Sequence, residues 1–356
     1  MAAYQIWVES DAYAKLAYIK SYLRLTYKVC VNGMGWATLE MSANDSQIAD
    51  LLIARRLKII RNGAIVFGGR LLREGWAKPP EAPAGEVWTV TAWDHAHYAK
   101  RRLIVPAAGQ MYDTRTDNAD DVAKDYVYYH CGAGAAAARQ LSDLTVEADE
   151  NAAASLTANG RYQSVYDMLL KLHDQGAFDW RFTPVASGCT FETGYPQYGL
   201  DRTKGNGVNA ECVFVADRRN FYKMGYEFDA ADHANYVYVG GQGEGADRAI
   251  VERSTAGDIT TYGRCEDFAD ARHLTLVASL QAYGDGVLLE RKPVKTMIIE
   301  PEHDTWKSLY DLGDLVTIYA YEWGRTFSMN AKVVAANVLV SPDGLEQVAP
   351  ELEATA

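Results

Sequence analysis

The chain has 356 residues, 48% hydrophobic and 23% charged, a balance that excludes a disordered polypeptide and leaves room for two or three domains with real cores. A formal net charge of -12 argues against specific nucleic-acid binding, which needs clustered Lys and Arg to neutralise phosphates. The 23 Tyr and 8 Trp point to half-buried β surfaces or to interfaces.

From Gln5 to Arg102 the signals are mostly β. Gln5 to Glu9 alternates polar and apolar, Leu23 to Val31 reads as a second strand, Asn32-Gly33 as a turn, and Ala37 to Met41 as a third strand. One helix follows, capped by Asn44 or Asp45, with Ile48, Ala49, Leu51, Leu52 and Ala54 on its apolar side and Arg55-Arg56 at its C-terminal end. Leu57 to Ile60 and Ala64 to Gly68 flank Arg61-Asn62-Gly63, whose Asn-Gly pair is a strong hairpin signal. Lys78-Pro79-Pro80 through Pro83 reads as a surface loop, Trp88 to Trp93 as a strand, and Asp94 as the cap of a short helix through Tyr98 to Arg102. These elements predict a small β-barrel or sandwich over residues 1–105.

Between Pro106 and about Gly225 the pattern becomes α+β. Ala119, Val122, Ala123, Tyr126, Val127 and His130 follow helical spacing from Asp117 or Asn118, and Gly132 ends the run. Ser164 with Asp167 three residues on is a capping-box variant before Val165, Met168, Leu169 and Leu172, with a stop at Gly176. Phe178 to Thr183 and Thr190 to Glu192 read as strands, and Gly205 to Gly207 as a loop.

From Tyr226 onward β signals return. Tyr236 to Arg253 admits two readings. Gly241, Gly243 and Ala246 meet the spacing of a dinucleotide loop, and such a loop opens a helix whose amides face the anion. Here Ala249-Ile250-Val251 is β-favouring, Gly257 follows closely, and Glu244 and Asp247 would oppose a phosphate, so a strand, a turn through Gly241, Gly243 and Gly245, and a second strand is the expected arrangement. Asp258 to Gly263 reads as a strand and Asp267 to Tyr283 as a helix broken by Gly284 and Gly286. Val294 to Glu300, Leu315 to Tyr321, Ser328 to Val340 and Val348 to Leu352 read as strands, with Ser341-Pro342-Asp343-Gly344 as a turn. The ends of the chain thus share an order of strands, one helix and hairpins. The expected architecture is α+β and mainly β: two related barrels, 1–105 and 226–356, around an inserted α+β domain, 106–225.

Motifs of chemistry are sparse. The N-terminus lacks the basic start and apolar core of a signal peptide, and no apolar run reaches membrane-spanning length. Cys30, Cys131, Cys189, Cys212 and Cys265 are scattered and without Cys-x-x-Cys spacing, so they read as reduced, packed thiols. His95 and His97 point apart on a helix, and His130 beside Cys131 is no better placed to share a metal. Asp113, Asp117, Asp120 and Asp121 lack the glycine and terminal Glu of a calcium loop and read as a solvated helix start. Asp311 and Asp314 flank Leu312-Gly313 and read as turn aspartates that accept backbone amides; Asp201-Arg202 reads as structural. The chain has no Gly-x-Ser-x-Gly, His-Glu-x-x-His or P-loop. The expectation is therefore no catalytic, cofactor or metal residue.

Several stretches taken together resemble a known family. Ile48-Ala49-Asp50-Leu51-Leu52, then Leu57 through Gly69, then Val90-Thr91-Ala92-Trp93-Asp94 and Arg101-Arg102, are similar to the first barrel of tail-tip hub proteins of long-tailed phages. Leu312-Gly313-Asp314-Leu315-Val316-Thr317 resembles a step common in the second barrel of such hubs, so the likeness spans essentially the whole chain. It implies the baseplate-hub fold, similar to the N-terminal part of tail-associated lysins, with two tube-type barrels per subunit and three subunits around the tail axis. A homotrimer of duplicated barrels sits on a sixfold tube without a sixfold of its own. The implied partners are the distal tail protein ring, the tape-measure protein and a fibre or tip protein, at the tail tip of the virion, with DNA passing unbound. Many relatives continue into a wall-cleaving or receptor-binding domain whereas this sequence ends at Ala356, so no lytic activity of its own is expected. The rival readings are a wall hydrolase using Asp201, Asp311 or Asp314, and a carbohydrate-binding β module using the aromatic excess.

Overall fold

Alternation of buried and exposed side chains, the mark of a strand with one solvated face, recurs through the first hundred residues; Ala37, Leu39 and Met41 point inward while their neighbours are only partly covered. The computed structural model describes residues 2–78, 85–215, 221–301, 305–322 and 324–355. The first group of elements is β1 (Tyr4–Glu9), β2 (Lys15–Ile19), β3 (Arg24–Cys30), β4 (Trp36–Ser42), β5 (Arg56–Arg61), β6 (Ala64–Ala77), β7 (Val87–Asp94) and α1 (Ala96–Lys100). Next come β8 (Asp113–Asn118), α2 (Ala119–His130), β9 (Leu144–Val146), β10 (Ser155–Gly160), α3 (Val165–Gly176), β11 (Asp179–Val185), β12 (Gly188–Gly194), β13 (Val213–Val215) and β14 (Phe221–Asp229). The chain continues with β15 (Tyr236–Gly240), β16 (Ile250–Ser254), α4 (Ala256–Tyr262), β17 (Glu266–Asp270) and α5 (Val277–Glu290). It ends with β18 (Val294–Pro301), β19 (Leu315–Glu322), β20 (Arg325–Val340) and β21 (Glu346–Ala354).

The fold is mainly β, with 43% of residues in strands and 19% in helices. A 13-stranded sheet runs β14-β18-β21-β20-β3-β4-β7-β6-β5-β1-β2, with β19 and β13 branching from β20. The antiparallel pairing of β3 with β20, from Cys30↔Ala335 to Leu25↔Val340, brings strands from both ends of the chain into this one sheet. The sheet curls on itself. Four strands separate β1 from β3, yet the hydroxyls of Tyr4 and Tyr27 lie 3.0 Å apart, and Ile6, Val8, Leu25, Leu39, Leu57, Ile59 and Phe67 are buried. Among the described residues no ladder closes the curl into a complete barrel.

Two compact units emerge, Met1–Met224 with Ile298–Ala356, and Gly225–Met297. In the first, α2 and α3 pack over a core that includes Val122, Tyr126, Val127, Met168, Leu172, Trp180 and Phe191. Ser164 caps α3 as expected, its Oγ accepting from the Asp167 amide at 3.0 Å. In the second unit the three-stranded sheet β16-β15-β17 carries α5 on one face, through Val237, Val239, Leu280 and Leu288.

Several local expectations change. The helix expected after Asn44 is a single 3-10 turn, Ser46–Asp50: Asp45 does cap it, accepting from the Gln47 amide at 2.9 Å, but Ala54 turns to a positive φ of 73° and Arg56 enters the β5 ladder. Asp258 to Tyr262 belongs to α4 rather than to a strand, and Gly263 caps it, with the Thr260 and Thr261 hydroxyls bonding back to the carbonyls of Ala256 and Gly257 at 3.1 Å. The helix expected from Asp267 is split: Glu266–Asp270 is β17, parallel to β15, and α5 starts at Val277 and runs through both glycines. Gly284 permits this because α5 lies so close to the sheet that a Cβ there would stand 2.8 Å from Val239 Cγ2 and 2.7 Å from Arg253 Cγ. The acidic start of α2 is not solvated. Asp121 accepts the amides of Glu150 (3.0 Å) and Asn151 (2.9 Å), Asp120 that of Ala153 (3.0 Å), and both side chains are buried. The expected loop at Pro79 to Pro83 lies outside the described residues.

Candidate functional site

The polar chemistry concentrated inside the first unit is a set of buried carboxylates that fasten the middle of the chain to the curled sheet. Arg56 on β5 donates to Asp143 Oδ2 at 2.8 Å and to the Tyr98 hydroxyl at 2.6 Å, and its guanidinium lies 4.2 Å from the centre of the Tyr13 ring. Tyr13 donates to the same Asp143 oxygen at 2.6 Å. Burial raises the Asp143 pKa, but the Tyr13 hydrogen bond and the Arg56 charge outweigh it and hold the carboxyl below its usual range. Nearby, Lys58 donates to Glu9 Oε1 and to the Ala186 carbonyl, each at 2.7 Å. His95 is buried beside them; burial first and the Arg56 charge second lower its pKa to about 4, so the ring is neutral.

Asp179, wholly buried at the head of β11, accepts from Asn32 Nδ2 (2.6 Å), Lys332 Nζ (2.9 Å) and the Tyr198 amide (3.0 Å). It thereby ties the β3–β4 turn and β20 to the intervening segment. Asp314, also buried, accepts from the amides of Leu200 (2.6 Å) and Asp311 (2.8 Å) and from Arg202 Nε (2.8 Å). Gly313 before it has φ 82° and approaches so closely that a Cβ would sit 2.6 Å from the Gly199 nitrogen, a position only glycine fits. Glu346 on β21 pairs with Arg61 on β5 through Nε and Nη2 of the guanidinium and accepts the Tyr4 hydroxyl, drawing together strands far apart in the sheet order.

The residues singled out from the sequence fall into place around these clamps. Asn62 and Gly63, at φ 51° and 83°, make the tight turn of the β5–β6 hairpin, and Asn62 Oδ1 also accepts the Ala3 amide at 2.8 Å. Gly241, Gly243 and Gly245 lie in the connection of the β15–β16 hairpin, where a three-residue 3-10 turn, Gly245–Asp247, replaces any phosphate-binding helix. Arg248 fills the concavity, donating to the Gly240 carbonyl at 2.9 Å and the Gly241 carbonyl at 3.1 Å. The nucleotide reading is thereby overturned. Asp201 accepts the amide and hydroxyl of Thr203, at 2.9 and 2.6 Å, and Asp311 pairs with Lys307 at 2.7 Å, so the acids of the hydrolase reading serve turns. His130 Nε2 meets Asp113 at 2.6 Å. Asp143, Asp179 and Glu346 carried no signal, and Arg56 read only as a helix end, since their partners lie up to 342 positions away.

A cavity of about 120 Å³ lies between β3, β6, β11 and the Trp306–Leu312 segment, with Asp94 in its wall. Asp94 accepts the amides of Gly35 (2.6 Å) and Ala96 (3.0 Å), yet burial dominates and pushes its pKa up to about 7. Among the described residues no group of three or more His, Cys, Asp or Glu is arranged to hold a metal, and no helix is long and apolar enough to cross a membrane. The five cysteines are unpaired, and burial pushes the Cys131 and Cys212 thiols up to about 12.

The model of the Siphovirus ReqiPepy6 Gp37-like protein family matches residues 4–352. The fold is similar to that of a tail protein from Neisseria meningitidis MC58, at TM-score 0.64 and 13% identity, covering 99% of this chain and 96% of that one. It is also similar to the 43 kDa tail protein of prophage MuSo2 from Shewanella oneidensis (TM-score 0.60, 11% identity, 98% and 97% covered). A third likeness is to the prophage tail protein gp18 from Listeria monocytogenes (TM-score 0.58, 9% identity, 98% and 94% covered). No curated protein matches the chain.

Proposed function

Because this chain belongs to the Siphovirus ReqiPepy6 Gp37-like protein family, a family of phage tail proteins, we propose that it is the structural hub of the tail tip. In this reading three copies surround the tail axis, join the distal tail protein ring above to a fibre or tip protein below, and form the channel through which the tape-measure protein and DNA leave. It assembles in the host cytoplasm and resides at the tail tip of the virion.

The observation that carries the proposal is the β3–β20 pairing, through which strands from both ends of the chain form one curled sheet around the intervening α+β segment. We read β1 to β7 (residues 1–105) and β18 to β21 (within 226–356) as two tube-type units flanking the insert 106–225. Three such chains present six units to a sixfold tube, which resolves the mismatch between threefold and sixfold symmetry. The buried clamps suit this role, since they hold the insert rigidly against the sheet. The hub assigns no lytic chemistry to this chain; wall cleavage belongs to another tail protein.

Sedimentation and negative-stain imaging of the purified chain test the proposal. Threefold rings, or a stable complex with a ring-forming tail protein, are expected. A chain that stays monomeric at high concentration and ignores other tail proteins would overturn it.

A further inference from the structure

Two buried polar atoms of the first unit meet at one small cavity. Among the described residues Glu9 Oε2 and His95 Nδ1 have no hydrogen-bond partner, although Glu9 is only 1% and His95 only 3% exposed. Both residues line a cavity of about 10 Å³ beside β1 and β5, together with Tyr13, Arg56, Lys58 and Gly68. A carboxylate oxygen and a ring nitrogen shut away from bulk solvent and left unpaired are costly, so folded chains nearly always give such atoms a protein group or an ordered water.

The donors and acceptors around this cavity can be assigned. His95 is neutral, so one ring nitrogen carries a proton and the other accepts. Nε2 faces the Tyr13 hydroxyl at 3.5 Å, and that hydroxyl gives its own proton to Asp143 Oδ2 at 2.6 Å. Toward His95 the Tyr13 oxygen can therefore only accept, which puts the ring proton on Nε2 and leaves Nδ1 as an acceptor. Glu9 Oε2, the second oxygen of the carboxylate that pairs with Lys58, is another acceptor. The Lys58 ammonium has three N–H groups; two go to Glu9 Oε1 and the Ala186 carbonyl, each at 2.7 Å, and one remains.

Two acceptors and one donor thus surround a space that fits a single small molecule, since about 10–15 Å³ of such volume holds one water. A metal cation there would lie beside the charges of Lys58 and Arg56, and an anion would lie against Glu9. A neutral molecule with two donors and one acceptor in use meets every requirement. We propose that this cavity is a buried water site, in which one water accepts from Lys58 Nζ and donates to Glu9 Oε2 and His95 Nδ1. Three hydrogen bonds are the usual complement of an interior water. The water joins β1, β5 and the residue that precedes α1, and Lys58 extends the network to Ala186 in the β11–β12 turn.

A crystal structure of the full chain, at a resolution that shows ordered water, tests this. One peak is expected within about 2.7–3.2 Å of Lys58 Nζ, Glu9 Oε2 and His95 Nδ1. An empty cavity, a direct bond between His95 Nδ1 and Glu9, or contacts of about 2.3–2.6 Å that mark a metal cation would each overturn the site. The tautomer is read separately in solution, by long-range proton–nitrogen NMR of the histidine rings at neutral pH. The His95 proton is expected on Nε2, with Nδ1 shifted to the unprotonated range; a proton on Nδ1 would turn that atom into a donor and overturn the assignment.

Discussion

The amide of Leu200 donates to the carboxylate of Asp314 at 2.6 Å across 114 positions of the chain. The same carboxylate receives Arg202 Nε and the Asp311 amide, each at 2.8 Å, so it fastens the segment before β13 to the start of β19. Removing a buried partner leaves the donors unpaired, and Asp314→Ala is expected to lower unfolding stability by roughly 3–5 kcal/mol in urea titration. Asp314→Asn keeps a carbonyl acceptor and should lose less. Clearing of a cell-wall suspension by the wild type, abolished in Asp314→Asn without loss of stability, would replace the clamp with a catalytic role.

The two glycines of α5 should respond in opposite directions. A methyl at Gly284 meets Val239 and Arg253 at under 3 Å and must push the helix off its sheet, whereas Gly286 faces open space. Gly286→Ala is therefore expected to raise stability by up to about 1 kcal/mol through helix propensity, and Gly284→Ala to lower it. Thermal unfolding of the two variants decides the matter; stabilisation by both would mean that α5 does not pack as described.

His95 and Asp94 oppose each other in pH dependence. His95 has a pKa of about 4 when folded against an ordinary 6.5, so between these values the unfolded chain binds a proton that the folded chain refuses, and stability rises with pH. Asp94, at about 7 against 3.8, keeps when folded a proton that the unfolded chain has lost, so its contribution falls as pH rises through that window. Each slope is at most about 1.4 kcal/mol per pH unit. Asp94→Asn should unmask the rise and His95→Gln the fall, in urea titrations at several pH values between 4 and 6.5. Parallel profiles for both variants and the wild type would show that these groups do not titrate as assigned.

Cys131, Cys189 and Cys212 are buried, and burial raises all three thiol pKa values. Ellman titration at pH 8 should leave these three unreacted in the folded chain and reach all five thiols in denaturant. Reaction of more than two thiols without denaturant would place one of the three at the surface.

Local backbone energetics were legible in the residues themselves. The Asn62-Gly63 turn, the Ser164 cap and the Ser341–Gly344 turn each follow from conformational preferences of a few adjacent residues, and the alternation in β4 follows from its one solvated face. The likeness to phage tail proteins was readable for the same reason, since it lay in the order of such local steps. Tertiary packing decided the rest. Glycines that look like a break in α5 became its closest approach to a sheet, and a β-branched run at Ile259 to Thr261 became helix once its hydroxyls bonded the preceding turn. The carboxylates of Asp143, Asp179 and Glu346 found cationic partners 87, 153 and 285 positions away. Such pairings depend on which surfaces the folded sheet brings together, and the free energy of burying a charge beside its partner exists only after that closure.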